Sequence, residues 1–84
     1  MRQELRHLHM QHLLQELEVA ERHAAQGKNI IDEQRKRARR LRDITGPDTL
    51  ATRNADVFLG VSEDTQRLFE GHVDLIKHEI ASET

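Results

Sequence analysis

From residue 3 to residue 45 no proline interrupts the chain. Across that stretch Met10, Leu13, Leu17, Ala20, Ala24, Gly27, Ile31, Gln34, Ala38, Leu41 and Thr45 follow one another at spacings that alternate between three and four. A seam kept over about five heptads sets one side of a long helix and belongs to coiled coils rather than to ordinary amphipathic helices. At 1.5 Å per residue such a helix is roughly 60 Å long. Leu5, Leu8, Leu14 and Ile30 lie beside the seam and widen it, while Ala20, Ala24 and Gly27 make its middle small, so that a second helix can come close. One competing reading ends a helix at Gly27 and restarts it at Asn29 as an N-cap, with Asp32 as its capping-box partner. The heptad phase runs straight through Gly27, which favours one continuous helix with at most a kink.

Thr45-Gly46-Pro47-Asp48 is the clearest punctuation. Gly46 suits the left-handed position after a helix, Pro47 cannot continue one, and Asp48 can cap the next. A turn over 46–48 folds the next helix back antiparallel. That second helix spans about 49–82, with a weak point at Gly60-Val61-Ser62. Ala51, Asn54, Phe58, Val61, Thr65, Leu68, His72, Leu75 and Glu79 again alternate three and four, flanked by Leu50, Val57, Phe69, Val73, Ile76 and Ile80. With this seam turned inward, Leu41 faces Ala51, Ala38 faces Asn54, Ile31 faces Val61, Ala24 faces Leu68, Ala20 faces His72 and Leu17 faces Leu75. The expected fold is therefore all-α: a single domain over 1–84, a helical hairpin with a first helix over about 3–45.

Two helices sharing one seam cannot enclose a core. The chain has 84 residues and 23 large apolar side chains, only two of them aromatic, and even a globular domain of this size buries only about 60% of its unfolded surface. The apolar stripe is widest where the termini meet, at Leu5, Leu8, Leu13 and Leu14 on the first helix and Leu68, Phe69, Val73, Ile76 and Ile80 on the second. A stripe of that width is an association surface, and the expectation is a two-fold homodimer forming a four-helix bundle. Polar seam residues such as Gln34, Asn54 and Thr65 then fix register and partner choice.

The rest of the composition excludes more than it suggests. Without cysteine there is no disulfide framework and no thiolate metal site. No apolar run approaches the roughly 20 residues of a membrane span, and the first residues lack the apolar stretch of a signal peptide, so a cytoplasmic location is expected. No nucleophile motif or glycine-rich phosphate loop is present, which points away from an enzyme, and no cofactor is implied.

Two clusters invite sharper readings. Net charge is −2 overall, but residues 27–47 carry +4 and residues 48–84 carry −5. The basic block is Arg35, Lys36, Arg37, Arg39, Arg40 and Arg42, beside the turn. It could bind phosphates, as in nucleic acid. The plainer reading is a solvated helix end whose cations complement the helix dipole. No aromatic residue is interleaved for base stacking, and six consecutive-turn cations wrap the helix instead of sharing a face.

Six histidines form the second cluster. His9 and His12 share a helix face, and the hairpin brings His78 towards them, a mixed His and carboxylate set of the kind that holds zinc, nickel or iron. The spacing is not the paired Glu-x-x-His of di-metal bundles, and surface or interface histidines are the plainer reading. His72 falls on the inferred seam opposite Ala20, where protonation would disfavour burial.

Ala20-Glu21-Arg22-His23, Gly27, Gln34-Arg35, the Gly-Pro-Asp-Thr turn and Glu63 to Leu75 together resemble a group of short helical-hairpin proteins of rhizobia and other alphaproteobacteria. The resemblance spans about residues 18–80. Pro47 departs from that group's turn, and Val57 to Gly60 from its leucine-rich pattern. It implies a bacterial source and a hairpin, and it implies no activity. The expectation for function is a non-enzymatic dimeric module for structure or protein–protein interaction. A regulator touching nucleic acid through the basic block, and a histidine metal bundle, are the alternatives.

Overall fold

The computed structural model describes residues 2–83. Two helices account for nearly all of them: α1, Arg2–Thr45, and α2, Leu50–Glu83. They pack antiparallel as a hairpin measuring 65 × 14 × 14 Å. Both run unbroken through the glycines where breaks were considered, Gly27 in α1 and Gly60 in α2.

The turn is built from its hydroxyls. Gly46 takes a left-handed φ of 94°, and its N–H donates to the Arg42 carbonyl at 2.9 Å, closing α1. The sequence offers Asp48 as the cap of α2, but Thr49 does the capping. Its Oγ1 accepts the Thr52 N–H at 3.3 Å, one residue beyond where the turn was expected to end. Thr52 is fully buried and donates its hydroxyl to the Gly46 carbonyl at 2.8 Å. Thr45 and Thr49 hydroxyls join it at 3.3 and 3.0 Å. Together these bonds turn Thr52 inward and set the rotation of α2 about its own axis.

That rotation corrects the second seam. On α1 the inward residues are those the heptads give up to Leu41: Leu13, Ala20, Ile31 and Ala38 buried, with Met10, Leu17, Ala24, Gly27, Gln34 and Leu41 half-buried between them, while Thr45, the last of the seam, is exposed at the turn. On α2 the inward row is Thr52, Ala55, Leu59, Ser62, Gln66, Phe69, Val73, Ile76 and Ile80, buried or half-buried except Phe69 at its edge. It has the same three–four alternation, displaced by one residue. Every member of the row expected inside, from Ala51 to Glu79, is exposed. Gly27 therefore meets Gln66, and Ala20 packs with Val73 and Ile76, joined by Leu17, Ala24 and Ile80. The facing pairs expected from the other row, Ala24 with Leu68 and Ala20 with His72 among them, do not form.

Gln66 pins the middle of the hairpin. It is buried, and its Nε2 donates to the Ala24 carbonyl at 2.7 Å. It reaches that carbonyl only because Gly27 has no Cβ: a methyl there would overlap the Gln66 Oε1. Gly27→Ala should therefore destabilise the hairpin by about 1–2 kcal/mol, overlap outweighing the better helix propensity. Gln66→Ala in the same chain should recover part of that loss, and melting of the two single variants and the double would show the non-additivity. By contrast, a Cβ at Gly60 or Gly71 meets nothing within 4 Å. Gly71→Ala should raise stability by about 0.5–1 kcal/mol, which a thermal melt would read as an upward shift.

Candidate functional site

The residue before each inward position lies on one flank of its helix, and in an antiparallel pair those flanks share a face of the hairpin. On α2 this flank is the exposed row, with Phe58, Val61, Leu68 and Leu75 each 58–74% accessible. On α1 it carries Val19, His23, Ile30 and Ile44 together with His12, Glu16, Gln26, Glu33, Arg37 and Arg40. Two open grooves confirm that the flanks adjoin. One, of about 500 Å³ near the turn, is lined by Arg37 and Leu41 of α1 with Ala51, Asn54 and Phe58 of α2. The other, nearer the termini, brings His12, Glu16, Val19 and His23 beside His72. The His23 ring also lies 6.1 Å from Phe69.

The opposite face is charged. Glu21, Lys28, Glu70 and Asp74 border its groove. Near the turn, Arg42 bridges to Asp56 of α2 at 3.1 Å and ties the two helices across that face. The hairpin is thus two-sided: one face carries the exposed Val, Ile, Leu and Phe among polar side chains, the other is more uniformly charged. A soluble monomer rarely leaves an apolar surface of that length uncovered.

The residues singled out by sequence divide between the inside and this outside. Leu13, Val73 and Ile76 are buried between α1 and α2, and Ile80 packs on the same core. Phe69 sits at its edge, 37% exposed. Leu5, Leu8, Leu14 and Leu68 are exposed. Phe58, Val61 and Leu75, read as the inner seam of α2, belong to the outer face.

The basic block forms no single patch. Arg35 approaches Asp32 at 4.0 Å, Lys36 approaches Glu33 at 3.7 Å, and Arg42 holds Asp56. Arg37, Arg39 and Arg40 make no ion pair among the described residues. Arg37 leans over the apolar groove, while Arg39 and Arg40 border a shallow one with Lys36 and Asp43.

The histidines do not converge. His12 pairs with Glu16 at 2.9 Å and His9 with Glu83 at 3.7 Å. Among the described residues no three His, Asp or Glu side chains gather where a metal ion could be held. His72 is exposed on the apolar face rather than buried opposite Ala20. No helix of the described residues is long and apolar enough to cross a membrane.

Compared with protein-family models, with curated proteins and with solved structures, the chain matches none.

Proposed function

We propose that this protein is a self-associating helical hairpin, a non-enzymatic module whose work is done by helix faces and whose active form is a homodimer with four helices. The observation that carries the reading is the second three–four row on α2. Phe58, Val61, Leu68 and Leu75 repeat at coiled-coil spacing on the outside of a hairpin whose inner seam is already filled. A helix needs only one such seam to fold back on its neighbour; the second is explained by a further helix layer.

The surface area supports the same reading. A compact protein of 9.8 kDa exposes about 5,200 Å², whereas the hairpin exposes 6813 Å². The excess, roughly 1,600 Å² per chain, is the size of a whole standard interface counted over both partners. A bundle of two hairpins removes much of it. The open grooves, of mixed polar and apolar lining and with no serine, threonine or cysteine nucleophile in them, suit packing better than catalysis. A cytoplasmic location goes with this reading.

Sedimentation across micromolar concentrations is the test. The expected mass is twice 9.8 kDa; a monomer throughout removes the proposal.

A second reading rests on Arg39 and Arg40, which with Arg37 are the cations of the basic block that make no ion pair among the described residues. There the dimer would touch phosphates. Electrophoretic shift of DNA or RNA that fades with added salt would support it, and no binding at ~50 mM salt would dismiss it.

A further inference from the structure

The row exposed on α2 is symmetric. From Phe58 through Val61, Thr65, Leu68 and His72 to Leu75 the spacings read three, four, three, four, three in either direction. Asn54 and Glu79, polar at both ends, close it off. A sequence row that reads the same both ways can be matched by its own reversed copy, residue for residue. Resting on the dimer reading above, we propose that the two hairpins stack face to face with their turns at opposite ends, α2 lying antiparallel on the partner's α2. The two-fold axis then passes between Thr65 and Leu68. Phe58 packs against the partner's Leu75, Val61 against the partner's His72, and Leu68 against the partner's Thr65.

The same two-fold also relates the two copies of α1. Because Gly27 lies level with Gln66, the same axis crosses α1 beside Gly27. It then brings Glu16 opposite the partner's Arg37, twice by symmetry, and Ile30 opposite the partner's His23. Glu16 and Arg37 both lie on the apolar face, each lining one of its grooves. Arg37 makes no ion pair among the described residues of its own chain. The other two-fold stack, with both turns at one end, lays Arg37 between the partner's Asn54 and the partner's Phe58 and Glu16 between the partner's Leu75 and the partner's Glu79, so that neither charge meets an opposite one. It also gathers two +4 segments at one end of the bundle, where like charges repel. The antiparallel stack separates them.

The chain has no cysteine, so a single introduced thiol can be labelled alone. Asp43→Cys carrying a nitroxide, on the exposed side of α1 near the turn, places the label about 16 residues from the axis. At 1.5 Å per residue, pulsed dipolar spectroscopy should give a label separation of about 50 Å. A separation within ~25 Å, about two helix diameters, would overturn the orientation while leaving self-association in place. No dipolar coupling together with a monomeric mass would overturn self-association too, and assign the face to a different protein. Charge reversal checks the register. Glu16→Arg should weaken the dimer about tenfold, and Glu16→Arg with Arg37→Glu should restore it. An unchanged affinity in Glu16→Arg would overturn the pairing.

Discussion

Ile76→Asp should abolish the cooperative melt of the hairpin and most of its helical circular dichroism. Ile76 is 2% exposed and sits in the centre of the cluster with Ala20 and Val73. Replacing it removes roughly 2–3 kcal/mol of apolar burial and places a carboxylate in the apolar cluster of Leu17, Ala20, Val73 and Ile80. The combined cost, about 4–5 kcal/mol or more, matches the whole stability that one core of this size supplies, ~3–5 kcal/mol. Ile76→Val, which removes one methyl, should cost only about 0.5–1.5 kcal/mol. It serves as the control that separates charge from volume. A cooperative, near-native melt for Ile76→Asp would mean that α2 does not turn this residue towards α1.

Leu68→Asp should act on the other seam. Leu68 is 74% exposed in the hairpin and lies beside the proposed two-fold axis. An aspartate there enters the interface twice, at ~3 kcal/mol or more per copy for an uncompensated buried charge. Two copies amount to at least four orders of magnitude in dimer dissociation constant. Sedimentation should find a monomer at micromolar concentration, and that monomer should keep part of its helix content, because Leu13, Ala20, Val73 and Ile76 still pack within it. A persistent dimer would remove Leu68 from the interface. Outright unfolding in dilute buffer would instead place it in the inner seam, so the two aspartate variants together decide which row of α2 faces α1.

That choice marks how far the sequence could be read. The first seam was legible residue by residue: Met10 to Leu41 face inward as their spacing requires. The second helix carries two rows of equal regularity side by side. The outer one, with Phe58, Val61, Leu68 and Leu75, is the one expected as the seam, although the inner one carries more large apolar side chains: Leu59, Phe69, Val73, Ile76 and Ile80. The inner row hides that advantage because its turn-side half contains Thr52, Ser62 and Gln66, polar residues whose burial their own type does not announce. Their burial depends on partners in the other helix or the turn, the Gly46 carbonyl for Thr52 and the Ala24 carbonyl for Gln66. Hydrogen bonds across 42 residues of chain leave no local pattern. The candidate face was legible only in part for the same reason: its α2 residues were identified as apolar and periodic, but assigned to the wrong side.

Periodicity and punctuation are local properties, and they sufficed for the two helices, the reversal at Gly46 and Pro47, the inner face of α1 and the shortage of core. What only the tertiary structure decided was a rotation of α2 by one residue, about 100° around its axis. A helix with two adjacent seams has no preference between them until a neighbour supplies the carbonyls and the gap at Gly27 that one of them can use. That rotation filled one seam within the chain and left the other on the outside, where a second copy can meet it.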